Sequence, residues 1–379
     1  VTDVADIDLG ELAEAQQTAL LRLMLYVSGR VHQLVGEVFA TVERRVRAVA
    51  GDDGSLSSES YFGLRESADA AWATFRKDYQ DLLTQARRHA AAIPYGALAA
   101  QHDTLAAGVA GAATEARQGP SAKFVADLDD VIAAADARVL GGLKLSQRLW
   151  QLDNGGQEGL ELTLLTGIAD GQSAAQLARE LEQYLGAGAE CPRWTWQRLR
   201  LSKKRIAAGD TTGLVGSSPC AAKGVAFNAL RLAHTELTAA HQLAAALAMA
   251  RSPWVEGVAI RLSGAHPKPD ICDQHADGGP NGGGVYPVGD QPVPPYHPFC
   301  LCYQAPVLVP ADTFRARLAA YVVGTGDAAL DDYRAWLGVE REALPLTSLI
   351  PILALALAGW LTSDPDDMED LINADPAGA

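Results

Sequence analysis

Between residues 270 and 302 the chain reads DICDQHADGGPNGGGVYPVGDQPVPPYHPFCLC. Cys272, Cys300 and Cys302 fall there with His275 and His297, in the order C-x2-H, a long Gly/Pro loop, then H-x2-C-x-C. Thiolates and imidazoles in two short pairs are the donors that a tetrahedral zinc ion takes, and each pair can ligate from one tight turn. The ligand arithmetic favours Cys272, His275 and Cys300 with one of His297 or Cys302. Cys300 and Cys302, two apart, would share one face of an extended chain, while His297 and Cys300 form an equally workable clasp in a Pro-containing turn. Four protein ligands make a closed, structural site, whereas catalysis needs an open position and a general base. Asp270, Asp273, Asp277 and Asp290 could supply a base, yet nothing distinguishes any of them from an ordinary loop acid. Without a metal, the same residues would be reduced thiols packed in a small core. As a Cys/His nucleophile pair, His297 and Cys300 lack a recognisable orienting group or oxyanion hole. The expectation is a structural metal and no catalytic residue.

Other residues have weaker chemistry. CPRWTWQRLRLSKKRIAA (191–208) carries six basic side chains, Arg193, Arg198, Arg200, Lys203, Lys204 and Arg205, interleaved with Trp194 and Trp196. Such a patch can bind phosphates and stack bases, or meet an acidic protein; the plainer reading is a solvated helix face anchored by two tryptophans. His32, His89 and His102 stand singly and read as surface or core residues. His234 and His241 lie seven apart on one helix, without the three- or four-residue spacing of a helical metal pair. NGGG (281–284) is followed by no GK[ST], so it is not a phosphate loop.

The elements that must position these residues are mostly helical. Apolar residues make up 48% of the 379, much of it alanine, and aromatics only 6%. A net charge of −15 argues against a grip on nucleic acid through the whole surface. Few cysteines, three of them clustered, suit a reducing compartment. The acidic start VTDVADIDLG does not read as a secretory signal. Leu20, Met24, Val27, Val31, Leu34, Val38 and Val42 recur at helical steps and predict an amphipathic helix from Leu12 to about Ala50. A second helix is expected over 59–92, stopping at Pro94, and a third over 96–118; together they suggest a long helical hairpin or bundle. Further helices are expected over 121–137, from about Gly156 to Ile168, after Ser173, and over 223–251. Ser173 with Gln176 forms a capping box, with Leu177, Leu181 and Tyr184 or Leu185 facing inward. WVEGVAIRLSG (254–264) and YQAPVLVP (303–310) read as short strands on either side of the Cys/His loop, and two more helices follow. The uncharged run 344–361 reaches the lower limit for a membrane span. Pro345 and Pro351 interrupt it, so a buried or partner-docking segment with an acidic tail is expected. The chain thus reads as mainly α, with regions at 1–120, 121–221, 222–310 (the small α+β module with the Cys/His staple) and 311–379.

PPYHPFCLC (294–302) resembles the closing P-P-x-H-P-x-C-x-C motif of the phage Mu F-like head-morphogenesis proteins, the minor head proteins of tailed bacteriophages. HTEL (234–237) is similar to that family's A-R-T-E helix, with Thr235 and Glu236 matching, and DICDQHADG (270–278) resembles its C-P-x-C loop. LSQRLW (145–150) and residues 167–185 are similar to its preceding helices. The resemblance covers about 143–303, and its closing motif is the specific part. His234 stands in place of the family's Arg, and His275 in place of its second Cys. The resemblance implies a non-enzymatic, portal-associated virion protein acting in head assembly, DNA packaging or ejection at the procapsid interior. Its partners would be portal, major capsid or scaffold proteins, with DNA reached through the basic patch. The rival readings are a metal-dependent hydrolase or nuclease using the Cys/His cluster, and a nucleic-acid-binding module using 193–205.

Overall fold

The computed structural model describes residues 9–106, 121–186, 224–264, 266, 269–322 and 324–337. It is mainly helical, with long N-terminal helices and a small three-stranded antiparallel sheet. The helices are α1 Leu9–Val49, α2 Ser60–Ala106, α3 Ser121–Ala137, α4 Leu145–Ala169, α5 Ala174–Leu185 and α6 Val225–Arg251. There follow β1 Val255–Arg261, α7 Ile271–Asp277, β2 Val285–Tyr286, β3 Tyr303–Leu308, α8 Ala311–Val322 and α9 Ala328–Leu337. Two compact units cut across the four regions read from the sequence. One collects Val1–Leu25, Gln85–Gly141 and His234–Ala379; the other collects Tyr26–Thr84 and Gly142–Ala233.

All seven apolar residues that predict α1 are buried. In the unit of Tyr26–Thr84 and Gly142–Ala233, α2 adds Leu64, Ala68, Trp72, Phe75 and Tyr79 at helical steps, all buried. The expected break before Gly156 does not occur, because α4 runs from Leu145 to Ala169 through Gly155 and Gly156. Glycine weakens a helix interior by roughly 1 kcal/mol, but here it opens room for neighbouring rings. A Cβ on Gly156 would sit 2.1 Å from the Trp72 ring, and one on Gly159 would sit 2.1 Å from Tyr184 Oη. Trp72 Nε1–H donates to Asp153 (2.8 Å), and Tyr184 Oη–H is shared by the carbonyls of Gly155 (3.0 Å) and Gly156 (2.9 Å). Burial pushes the Tyr184 hydroxyl well above the ordinary phenol range, so it stays a donor. The Ser173 capping box forms as expected, Leu177, Leu181, Tyr184 and Leu185 are buried, and Gly186 ends α5 in the left-handed region.

The other unit also departs from the expected breaks. Helix α2 does not stop at Pro94 but continues through it to Ala106. Pro94 forfeits the hydrogen bond to the carbonyl of residue 90, at a cost of about 3 kcal/mol. Burial of Ala90, Ala91, Ile93 and Tyr95 opposes that cost and holds the helix together. The second part of the expected 96–118 helix, from 107, lies outside the described residues. Helix α3 forms where expected and is tied to α2 by Arg87–Asp136 (2.6 Å) and Arg88–Asp129. In the sheet, ordered β2-β1-β3, Ala259 of the central strand faces Val285 on one side and Ala305 on the other. Gln242 of α6 reaches β3, accepting from the Gln304 backbone N–H (3.1 Å) and side chain (3.1 Å). Trp254, at the entry to β1, packs edge-on against Phe314 of α8 and Tyr333 of α9. The expected strands and C-terminal helices are therefore present.

Candidate metal centre

The stretch leaving β1 was expected to be loop, yet it builds a helix. Asp270 caps α7: its carboxylate accepts from the Cys272 backbone N–H (2.7 Å), while Asp273 accepts from the Asp270 backbone N–H (2.7 Å). This reciprocal box nucleates seven residues and places Cys272 at the second position, fully buried. The chain then turns back sharply. Gly284, at φ +71°, lies so close to Ala276 that a Cβ would be 2.2 Å from its carbonyl oxygen. This return carries the chain into β2, two residues long and not foreseen from the sequence.

Three contacts from separate helical segments of the same unit hold the closing segment. Arg138, after α3, donates to the carbonyls of Val293 (2.6 Å), Pro294 (2.6 Å) and Pro295 (2.9 Å). Gln17 of α1 donates to the Leu301 carbonyl (3.1 Å). Thr235 of α6 accepts from the Phe299 backbone N–H (3.2 Å). Phe299 sits at φ +59°, a conformation disfavoured for non-glycine residues, and its ring meets His234 edge-on. Thus HTEL and HPFC, distant in sequence, are joined by a hydrogen bond. Thr235 and Glu236 are both buried.

Cys272, Cys300 and Cys302 form one buried cluster, backed by Tyr296. Cys272 Sγ lies 3.7 Å from Cys300 Sγ and 3.2 Å from His297 Nε2. His297 Nδ1–H donates to the Pro298 carbonyl (2.9 Å), leaving the Nε2 lone pair for a ligand. Hydrogen bonding from Cys302, helped by backbone N–H groups, pulls the Cys300 thiol down despite burial. Burial and the Cys300 charge push Cys272 up; Cys302 rises because it donates to Cys300 and is itself buried. Negative charge is therefore favoured on Cys300 over the other two sulfurs, and a cation beside them would favour further deprotonation. The cluster has the geometry and donors for a metal.

Of the five ligands expected from sequence, Cys272, Cys300 and Cys302 cluster, and His297 lies with Cys272 and Cys300. His275 does not: its ring packs at a tilt of 46° against Tyr296 with centroids 4.3 Å apart, and it belongs to none of the metal-capable groups among the described residues. His266 was missed. It lies within 4.8 Å of both Cys272 and Cys302 and, separately, of Asp270 and Asp273. It precedes the C-x2-H pattern by six residues, and only the turn out of β1 returns it to the sulfurs. Proximity to Cys272 across that turn was the signal available. Arg193, Trp194, Trp196, Arg198, Arg200, Lys203, Lys204 and Arg205 lie outside the described residues, as does the apolar segment 344–361. No described helix is long and apolar enough to cross a membrane.

His241 is buried and its Nδ1 faces the Gln242 amide (3.1 Å). Burial lowers its pKa to about 3, keeping the ring neutral. It stands apart from the metal-capable groups. Comparison with known proteins gave no match to a family model, a curated sequence or a solved structure.

Proposed function

We propose that this chain is a minor head protein of a tailed bacteriophage or prophage, acting in head assembly or DNA passage at the portal and procapsid interior. The observation that carries this reading is the meeting of its two motif segments, where Thr235 of HTEL accepts from Phe299 of PPYHPFCLC. A sequence likeness made of separate pieces gains weight when those pieces share one hydrogen-bonded unit. The partners are the portal and the capsid or scaffold protein around it, with DNA reached through residues 193–205.

In this reading the Cys/His cluster is a structural zinc staple held by Cys272, Cys300, Cys302 and His297. Two sulfurs each about 2.3 Å from one tetrahedral zinc stand roughly 3.8 Å apart, close to the 3.7 Å between Cys272 and Cys300. A sulfur and an imidazole nitrogen on the same ion stand roughly 3.5 Å apart, against 3.2 Å between Cys272 Sγ and His297 Nε2. Zinc would supply the charge that lets three buried thiolates coexist. Four protein donors fill the coordination sphere, so the ion serves the fold and no substrate.

The test is whether the chain enters heads. Procapsids and virions purified from an induced lysogen carrying the gene should contain it, cross-linked to portal, and deletion should leave heads defective in DNA content. A chain absent from both particles, with normal phage titre after deletion, overturns the proposal.

A further inference from the structure

We propose that the metal centre holds five donors for four positions: three thiolates common to every bound state, and His266 and His297 as alternative occupants of the fourth corner. This deepens the zinc-staple reading and rests on it. The two overlapping metal-capable groups are Cys272 with His297 and Cys300, and Cys272 with His266 and Cys302. Cys272 belongs to both, and the three cysteines form one buried cluster. Cys272 is thus common to both groups, with Cys300 and His297 completing one and Cys302 and His266 the other.

Each histidine has a carboxylate beside it, Asp270 lying near both. His266 Nε2–H donates to Asp273 Oδ2 at 2.8 Å, which fixes the proton on Nε2 and leaves the lone pair on Nδ1. A ring nitrogen bonded to a carboxylate while the other is free for an ion is the arrangement of metal-binding histidines, in which the carboxylate orients the ring and raises its basicity. His297 Nε2 lies 3.3 Å from Asp270 Oδ2, so a carboxylate stands beside this imidazole as well. Both acids belong to the capping box of α7, which also carries Cys272. One helix start thus organises a shared sulfur and a partner for each histidine. The His266 side chain is only 10% exposed, against 33% for His297, so the sequence-invisible histidine is the more enclosed. A zinc ion can pass from one imidazole to the other while its three sulfurs stay in place, which makes the site tight yet exchangeable.

The experiment is cobalt and zinc titration of the full chain, with chelator competition and the cobalt charge-transfer and ligand-field spectra as readouts. Wild type, His266→Ala, His266→Gln, His297→Ala and the double alanine variant are compared, with circular dichroism reporting folding. Each single variant should still bind one ion per chain with a tetrahedral cobalt spectrum, its affinity lowered roughly tenfold. The double variant should fall well below the product of the two single losses. His266→Gln retains a donor for Asp273 but supplies no imidazole, so an effect shared by Ala and Gln reports ligation and not misfolding. His266→Gln matching wild type, or either single variant matching the double, overturns the inference. Wild type that takes up no metal overturns the staple reading as well.

Discussion

The helical unit of Tyr26–Thr84 and Gly142–Ala233 and the Cys/His module around α7 solve opposite problems. The first has enough apolar surface to hold itself, and its specificity comes from shape: a ring of Trp72 or Tyr184 fits where α4 has only glycine. The second has a short sheet, a seven-residue helix and a Gly/Pro loop, and at its centre are three buried thiols. Shape complementarity tolerates no added atom, whereas the thiol cluster tolerates no lost sulfur. The largest destabilisations in the two regions should therefore come from opposite kinds of substitution.

The largest effect is expected at the sulfurs. Cys272→Ala should abolish metal uptake and cost at least about 4 kcal/mol, lowering the thermal midpoint by roughly 10 °C. Chelation of the wild type should do the same. Hydrogen exchange should place the loss in 254–308 and leave α4 and α5 protected. A Cys272→Ala protein as stable as the parent, or exchange rising equally in both regions, would remove the distinction between them.

Next comes the added atom. Gly159→Ala should cost about 3 kcal/mol, because its methyl would be driven into Tyr184. In a Tyr184→Ala background the same change should be much milder, giving a coupling of about 1–2 kcal/mol between the sites. Denaturant midpoints measure both, and strictly additive losses would show that the helix shifts as a whole and the fit is not local.

The third expectation concerns pH and compares His241 with the metal centre. Its folded pKa, about 3, lies below the unfolded value near 6.5, so above pH 6.5 it has no effect on stability. As pH falls from 6.5 towards 3, the unfolded chain takes up a proton that the folded chain refuses, and stability is lost, roughly 3 kcal/mol by pH 4. Measured on metal-free protein to keep ligand protonation apart, His241→Gln should flatten that part of the profile. Identical slopes would show that the ring gains water or a partner on protonation.

How far each region was legible follows from the same contrast. Helix α1 and the α5 cap are written in steps of three and four and in the Ser173–Gln176 pair, so local sequence sufficed. Continuation of α2 through Pro94 and of α4 through Gly155 and Gly156 was not legible, because the burial that offsets each local penalty is tertiary. In the Cys/His module, the approach of Cys272, Cys300, Cys302 and His297 to one another was legible from donor type and spacing. His275 stands outside the cluster because a three-residue spacing does not say where a ring goes once Tyr296 lies beside it. His266 and two-residue β2 depend on how the chain turns back, and no periodicity encodes that.

The smallest expected effect makes the sharpest comparison, because both regions use the same local device. Ser173 and Asp270 each begin a helix with a reciprocal capping box. Ser173→Ala should cost about 1 kcal/mol, the ordinary worth of a cap, and leave metal affinity unchanged. Asp270→Ala removes the corresponding cap and also the carboxylate facing His297, so it should lower metal affinity in chelator competition as well as stability. Asp270→Asn keeps a side-chain oxygen for the Cys272 N–H and should restore stability more than affinity. If Asn restores both equally, the Asp270 charge does nothing for His297, and the two caps are equivalent in kind. If affinity stays low while stability returns, a helix cap in the module is also part of the metal site's outer shell, a role that Ser173 has no means to fill.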